Sequence, residues 1–529
     1  MTPEFLRRDL RIRLLAVIGC VVMLNVLLAS SVWRTDLTRG AAYTLSDASV
    51  RAVQKLEKPL TVKAYFTRDL QPPYAGFEQA FRDKLEEYMA HAGGRLKLEL
   101  KDPTGKPELE EEAQRFGVTA AKIDYRARDQ REIKTAYMGA TFVYGDKQET
   151  IPILRNLNGL EYDITRILKS LTASEEKKTI GFVLGHGEPD LLKPPQQGGS
   201  NPLRTILEEN YKVTSVDLSQ STEIPADVSA LVVFAPMQEV SPRHQFELDQ
   251  FLMAGKPVGY FLPSHLSDPR MSRLNPIEHK LNDLLSHYGV SLTQQLVLDR
   301  RQNARSPFPV RQGRMVFQAL INYPLHPVAT TFDKESIMVR DVEALPMPMQ
   351  QALRLTDAAK ADTSVVAKAL ISSSEFSRVK PAGQLPPLDP QALMDEAQSE
   401  GEEPGPFALA YTLEGPFKSY WAQKPLPNDD SSLDGRAVIQ ESPKNRLLVV
   451  GSAEFLRSGG EVFLNMVDWL AQDEDLISIR SKGESAPPLK VIEPESQRLI
   501  ALANVVGIPL FFVLFGLVRW RLRKRQQAA

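Results

Sequence analysis

Two long uncharged apolar stretches, one near each end, constrain what this chain can fold into more than any other feature. Residues 14–33 read LLAVIGCVVMLNVLLASSVW and residues 499–518 read LIALANVVGIPLFFVLFGLV, without a charged side chain in either. Twenty helical residues extend about 30 Å, which matches the hydrocarbon core of a bilayer. We therefore predict two transmembrane helices, at 14–33 and at 499–518.

Basic residues beside these stretches predict their orientation. The first stretch follows Arg7, Arg8, Arg11 and Arg13, and the second precedes Arg519, Arg521, Arg523, Lys524 and Arg525. Lys and Arg accumulate on the cytoplasmic side of a membrane span. We therefore expect cytoplasmic tails at 1–13 and 519–529, a two-pass topology, and a large extracytoplasmic body between the spans.

A cleaved signal peptide is the alternative interpretation of the first stretch, because export signals also combine a basic start with an apolar run. Residues 17–20 (VIGC) resemble a lipoprotein cleavage box, but the apolar run before Cys20 is short and a comparable run follows it. An uncleaved anchor is favoured. Cys20 is the only cysteine, so the body contains no disulfide and no catalytic thiol.

The body is too long for one ordinary hydrophobic core, because the chain has 529 residues. Its strands and helices alternate, and we predict the α/β fold class with two extracytoplasmic α/β domains. The first is expected at 34–175 and the second at 176–482, with a proline-rich insertion at 376–445. A linker at 483–498 leads to the second span.

The first domain begins with a β-α-β pattern. Strands are predicted at Leu60–Phe66 and Arg95–Leu100, with a helix at Phe77–Ala90 between them, because apolar residues change from a period of two to helical spacing. Pro107 opens a second helix, and Gly145-Asp146 is typical of a hairpin turn. A third helix follows from an apolar stripe at Leu160, Ile164, Ile167, Leu168 and Leu171.

The second domain is predicted to be a doubly wound sheet. Continuous apolar strands at Thr179–Leu184, Ala230–Phe234 and Val258–Leu262 are typical of a parallel sheet with both faces covered. The other elements expected are a helix at 202–210, a strand at 212–217, a helix capped by Ser241, and a strand and helix at 446–450 and 461–470. Residues 381–406 contain six prolines and predict an exposed, mobile connection.

The sequence GHGEPD, which directly follows the strand Thr179–Leu184, is the main candidate site. Ligands of open α/β sheets bind beyond the carboxyl ends of strands, so Gly185, His186, Gly187 and Glu188 are candidate ligand- or partner-binding residues. On an extended loop, His186 and Glu188 would point to opposite sides. The alternative is a structural turn in which glycine supplies the required backbone conformation.

Other motifs of known chemistry are absent from the sequence. It has no GxxxxGK[ST] phosphate loop, no GxSxG nucleophile elbow and no HExxH metal motif. We therefore predict no catalytic residue, no cofactor, no metal site and no ATP hydrolysis by this chain. Its 64 basic and 66 acidic residues nearly cancel, which argues against nucleic-acid binding.

A local basic stretch and an amide within the first apolar stretch are further candidate contact sites. Arg300, Arg301 and Arg305 lie within fifteen residues that also contain Arg311 and Arg314, and they could contact lipid phosphates or an anionic glycan. A solvated loop is the alternative. Asn25 lies inside the first apolar stretch, where a partner helix could satisfy its amide.

Several short motifs, in order along nearly the whole chain, resemble the gliding-motility GldG family of auxiliary ABC-transporter proteins. They are RTDLT (34–38), YTLS (43–46), Asp102-Pro103, GHGEPD (185–190), LEGPFKSYW (413–421), GSAEF (451–455), FLN (463–465) and DWL (468–470). The family often has Gly-Asp where this chain has Gly451-Ser452. A role for that carboxylate is therefore not expected here.

The resemblance implies an accessory subunit anchored in a bacterial inner membrane, with its large body in the periplasm, beside a separate permease and a separate ATPase. It also implies that the second domain is a variant of the glutamine-amidotransferase-like fold. The alternative function is an extracytoplasmic hydrolase acting on envelope glycan or lipid, which His186 and Glu188 would serve. A sensor is disfavoured, because the predicted tails are too short for a signalling domain.

Overall fold

The structure is a computed structural model that describes the body of the chain. Residues 44–473, residue 477 and scattered positions from 505 to 521 are described, except for gaps at 73, 128–129, 155–156, 158, 173–176, 194–201, 221–222, 269–272, 313–314, 341, 399–403 and 428–435. The chain divides into two compact units, Met1–Ser485 and Ala486–Ala529. Both large sheets lie in the first unit.

The predicted membrane spans fall outside this description. Residues 14–33, and with them Asn25, lie outside the described residues, and so does 499–518 apart from a few positions. Within the described part of the chain, no helix is both long enough and apolar enough to cross a bilayer.

The first sheet contains five strands and is accompanied by four helices. Its elements in chain order are α1 (Asp47–Gln54), β1 (Leu60–Phe66), α2 (Phe77–His91), β2 (Leu96–Lys101), α3 (Pro107–Arg115), β3 (Ala120–Ala127), β4 (Gln130–Tyr144), β5 (Lys147–Ile151) and α4 (Leu160–Thr172).

The strand order β2-β1-β4-β3 makes this sheet mixed. Strand β1 is parallel to β2 and antiparallel to β4, whose length allows it to pair with β3 and β5 as well. The predicted β-α-β unit and hairpin are confirmed. The predicted apolar stripe of α4 is buried in the hydrophobic core of this sheet, together with Phe81 and Leu85 of α2.

The second sheet contains eleven strands. The elements from residue 179 onward are β6 (Thr179–Leu184), α5 (Pro202–Asn210), β7 (Lys212–Asp217), β8 (Val228–Phe234), α6 (Pro242–Met253), β9 (Val258–Phe261), β10 (His265–Asp268), β11 (Arg273–Pro276), α7 (Asn282–His287), β12 (Val290–Asp299), β13 (Asn303–Gln312), β14 (Met315–Ala329), β15 (Thr331–Phe332), β16 (Leu345–Pro346), β17 (Gln351–Leu355), α8 (Asp357–Ala361), β18 (Val366–Ser372), β19 (Ser377–Pro381), α9 (Pro390–Ala397), β20 (Ala408–Lys418), β21 (Glu441–Val450) and α10 (Gly460–Leu470).

One half of this sheet is parallel and the other half is antiparallel. Strands β7, β6, β8, β9 and β21 are adjacent and parallel. Beyond β21 the order continues through β20, β17, β12 and β19 in antiparallel pairs. The mixed α/β architecture predicted from the sequence is confirmed, and the strand at 446–450 rejoins the parallel half as expected.

Both faces of the parallel half are covered by helices, which explains its continuous apolar strands. Alternate residues of β8 belong to opposite hydrophobic cores: Val232 packs with Phe463 of α10, whereas Val233 packs with Phe246 of α6. The edge at which these strands end is therefore held rigidly from both sides.

The predicted mobile connection at 381–406 is wrong over part of its length. Asp389 caps helix α9 by accepting backbone hydrogen bonds from Gln391 and Ala392, and Pro390 occupies the first helical position, where its missing N–H has no cost. Leu393 of this helix is fully buried. The prolines here therefore shape an ordered element, because they lie at its start rather than in its interior.

Candidate functional site

The GHGEPD loop lies at the point where the order of the parallel strands reverses. It follows β6, whose neighbours are β7 on one side and β8 on the other. The connections that leave β6 and β8 therefore run in opposite directions, and a crevice forms between them in folds of this kind. This is the position at which an open α/β sheet most often binds a ligand.

Two glycines give the loop its shape. Gly185 and Gly187 have φ values of +117° and +80°, in the region that favours glycine. A Cβ atom on Gly185 would lie 2.9 Å from the backbone nitrogen of Ser219. The chain therefore reverses here, and His186 and Glu188 lie on the same side of the loop. The expectation that they point to opposite sides is wrong, because the loop is not extended.

Glu188, His186 and His244 form a chain of hydrogen bonds. Nδ1 of His186 lies 2.9 Å from Oε1 of Glu188, whose second oxygen accepts the backbone N–H of His186 at 2.6 Å. Nε2 of His186 lies 2.7 Å from Nδ1 of His244. The side chains of His186 and Glu188 are only 3% and 1% exposed.

This geometry determines how the imidazole of His186 is used. Nδ1 of His186 hydrogen-bonds the carboxylate of Glu188, and Nε2 hydrogen-bonds the ring of His244. Both ring nitrogens are thus engaged inside the protein. Base catalysis by His186 would require one of these bonds to break.

The loop also contacts the connection after β8 through its backbone. The carbonyl oxygen of His186 accepts hydrogen bonds from the backbone nitrogens of Met237 and Gln238, at 2.9 and 2.8 Å, in the connection that follows β8. On the other side Asp217 ends β7, and hydrogen bonds from Ser219 hold the pKa of its carboxyl below the usual range. The loop is therefore bonded to the connection that follows β8 and lies beside the residues that follow β7.

Sequence reasoning did not identify His244. The hydroxyl of Ser241 caps α6 by accepting the backbone N–H of His244, which places this residue in the first turn of the helix. Because α6 follows β8, its first turn faces the edge where the loop lies. The cap at Ser241 was predicted from the sequence. A histidine in the first turn after this cap was the signal that could have pointed to the contact with the loop.

The other predicted site residues do not join this loop. Arg300 and Arg301 follow β12 in the antiparallel half, where the guanidinium carbon of Arg301 lies 4.3 Å from the ring centre of Phe376. Arg305 is in β13 and donates from Nε to Asn322 at 3.3 Å. In the part of the chain that the structure describes, no group of three His, Cys, Asp or Glu side chains is arranged to hold a metal ion.

Two of the motifs that resemble the GldG family make buried contacts. Ser419, in the LEGPFKSYW motif, donates to Oδ2 of the fully buried Asp249 at 2.7 Å, and the backbone nitrogen of Tyr420 donates to Oδ1 at 2.8 Å. Asp468, in the DWL motif, accepts a hydrogen bond from the hydroxyl of Tyr211 at 2.7 Å. Ser419 and Tyr420 thus connect the end of β20 to α6. Asp468 connects α10 to Tyr211, which directly precedes β7.

Comparison with known families decides the assignment. A family model described as "ABC-type uncharacterized transport system", an auxiliary component, matches residues 177–467, which is more than half of the chain. The chain belongs to this family. A second model, a domain of unknown function (DUF7088), matches residues 40–143, which include most of the first sheet. The GldG resemblance is thus supported at the level of ABC-transporter auxiliary proteins.

Two individual proteins are similar to this member of the auxiliary family. An uncharacterized protein of Borreliella burgdorferi (strain ATCC 35210) is 21% identical over 532 residues, covering 99% of this chain and 98% of its own. The solved structure of the mmIFT52 N-terminal domain is 14% identical and covers 55% of this chain and 97% of its own, with a TM-score of 0.31. That score is too low to carry an argument about fold or function.

Proposed function

We propose that this chain is a non-catalytic accessory subunit of an ABC transporter, which presents a large periplasmic body beside a separate permease and a separate ATPase. Family membership is the observation that carries the proposal, because it associates the chain with an ABC transport system. The sequence supports the division of labour, since it contains no phosphate-binding loop of its own.

The geometry of the GHGEPD loop favours a binding or structural role over catalysis. His186 and Glu188 are buried and hydrogen-bonded to each other and to the adjoining connections. Gly185 and Gly187, which are more exposed, form the rim of the parallel half. We propose that a partner or cargo contacts this rim, where the loop stays fixed in shape.

We further propose that the body is a pair of domains, 34–175 and 176–482, tethered by helices at 14–33 and 499–518 with both termini cytoplasmic. Two uncharged stretches of twenty residues with arginines on their outer flanks support this topology. Protease added to intact spheroplasts should then digest the body. Protection of the body, with digestion of the arginine-rich tails, would contradict the proposed topology.

Purification under native expression tests the transport role. The tagged chain, extracted in a mild detergent, should retain an ABC permease and an ATPase that mass spectrometry identifies. A tagged, unrelated two-pass membrane protein from the same cells is the control. If neither transporter subunit accompanies the chain above this control, the accessory role is wrong. Motility defects on deletion would assign the system to the GldG branch of the family.

A hydrolase acting on envelope glycan or lipid is the second candidate, because a carboxylate and an imidazole lie 2.9 Å apart at a strand end. The conservative pair Glu188→Gln and His186→Gln separates the two roles. A hydrolase would lose its function while the variants keep the thermal stability of the native chain. A structural link would lose stability first.

A further inference from the structure

The hairpin formed by β13 and β14 carries a cluster of exposed apolar side chains. Met315, Val316, Phe317 and Leu320 are exposed to 71%, 63%, 46% and 67%. Elsewhere on the described body, exposed large apolar side chains such as Leu266 occur singly along the chain. An exposed apolar cluster of this kind marks a site that contacts a membrane or another protein.

The base of the hairpin is fixed to the body, whereas its tip, meaning here the first four residues of β14, is exposed. Near the base, Tyr323 and Leu325 are buried with Leu393 of α9 in a small hydrophobic core. The rings of Phe308 and Tyr323 lie 5.0 Å apart, and the hydroxyl of Ser306 is 2.7 Å from Nδ1 of His326. The first four residues of β14, by contrast, are all exposed. The hairpin is therefore an anchored arm with an uncovered end.

Both faces of the arm are apolar at its tip. Successive side chains of a strand point to opposite faces, so Met315 and Phe317 share one face while Val316 and Leu320 share the other. A hairpin that docks flat on a protein needs only one apolar face. Apolar side chains on both faces fit a medium that surrounds the tip.

The charge of the hairpin region has one sign. From Arg300 to Phe332 the sequence contains five arginines and no acidic residue. Arg301 and Arg305 are exposed. Basic residues beside apolar side chains are attracted to an anionic lipid surface, each contributing about 1 kcal/mol near the headgroups.

The edge of β13 does not favour addition of a protein strand. Pro307 and Pro309 lie within its paired region, opposite Leu320 and Gln318. A proline has no backbone N–H to donate to an added strand. A shallow position among hydrated headgroups leaves the polar edge groups in contact with water and requires no such donor.

We propose that the β13–β14 hairpin inserts Met315, Val316, Phe317 and Leu320 into the headgroup region of an anionic bilayer, where they reach the acyl boundary while Arg301 and Arg305 contact lipid phosphates. This is a second membrane contact, made by the body itself. It does not depend on the permease or on the proposed transport role.

A fluorescent probe on the full chain tests this contact. In a Cys20→Ser background, which leaves no other cysteine, Phe317→Cys is labelled with the environment-sensitive dye NBD and the protein is reconstituted into vesicles. With equal parts of phosphatidylcholine and phosphatidylglycerol, NBD emission should shift to the blue and be quenched by lipids with a doxyl group near the headgroup. Ile439→Cys, at a position that is 44% exposed outside the hairpin, is the matched control and should not respond.

The arginines are tested in the same vesicles. Arg305→Gln should reduce the ratio of inserted to solvent-exposed hairpin about fivefold, the factor that corresponds to one lost contact of about 1 kcal/mol. Arg457→Gln, whose side chain is 88% exposed on the body, should leave the ratio unchanged.

Three results would overturn the proposal. The first is an absence of any emission shift at position 317 in the anionic vesicles. The second is an equal response at position 439. The third is an equal response of position 317 in vesicles of phosphatidylcholine alone. Because these vesicles contain only lipid, none of these results depends on whether the chain binds a transporter.

Discussion

At the residue scale, His186 connects the loop after β6 to the helix after β8. His244→Ala removes the partner of a ring nitrogen that remains buried, and leaving a buried polar atom unsatisfied costs about 1–3 kcal/mol. We expect the free energy of unfolding, measured by urea titration, to fall by that amount. His91→Ala, which changes an exposed histidine at the end of α2, should have little effect.

A double-mutant cycle shows whether the link acts as one unit. If it does, His186→Ala combined with His244→Ala should cost clearly less than the sum of the two single changes, because the second change removes a contact already lost. Additive costs would mean that the two histidines are not coupled, and a His244→Ala variant as stable as the native chain would mean that the link does not stabilise the body.

A second residue makes the stability of the body depend on pH. Burial lowers the pKa of His279 to about 4 from its ordinary 6.5, and its Nδ1 accepts the backbone N–H of Leu281. Between these two values the unfolded chain binds a proton that the folded chain resists. His279 therefore does not destabilise the folded chain above pH 6.5. As the pH falls toward 4, it lowers the free energy of unfolding by at most about 1.4 kcal/mol per pH unit.

His279→Asn tests this origin of acid sensitivity, since the amide oxygen can replace Nδ1 as the acceptor without titrating in this range. Urea unfolding at several pH values should show a shallower loss of stability between pH 6.5 and 4 for the variant. Burial also lowers the pKa of His326 to about 4, so part of the slope should persist. A slope identical to that of the native chain would rule out His279 as a contributor.

At the scale of elements, the GSAEF motif begins directly after β21 with Gly451, a position where the backbone is closely packed. A Cβ atom at this position would lie 2.6 Å from the backbone oxygen of Gln351, which cannot move aside as a flexible side chain can. Gly451→Ala should therefore destabilise the body by about 1–3 kcal/mol, the usual cost of overpacking. Gly383→Ala, where an added Cβ meets nothing within 4 Å, is the control. Equal melting temperatures for the two variants would contradict this account.

The same element scale shows what the sequence could predict. Strands β6 and β7 were predicted at their observed bounds. The apolar run of β6 marks its extent, and turn residues mark the ends of both strands. Strand β20 was missed. Its Gly415-Pro416 is typical of a turn, and only its pairing with β18 and β21 stabilises an extended strand there.

The candidate site was predictable only in part. Gly185 and Gly187 at the end of an apolar strand were enough to locate the loop. His244 is 58 residues away in sequence from His186, and their contact depends on how α6 packs against the sheet. Contacts of this kind follow from tertiary structure, so no local pattern could predict the link or its burial.

At the scale of the whole molecule, the two sheets of the body meet through α4. Nδ2 of Asn210 donates to the hydroxyl of Tyr162 at 2.8 Å, and Lys169 pairs with Asp473. The first sheet is thereby held against the parallel half of the second.

Cross-linking in intact cells tests the central claim most directly, because it requires no extraction. A lysine-reactive reagent that enters the periplasm, followed by mass spectrometry, should join exposed lysines of the body, such as Lys360 and Lys424, to the periplasmic loops of an ABC permease. The account predicts that these links disappear when the permease gene is deleted. Links only within the chain, or only to proteins unrelated to transport, would contradict it.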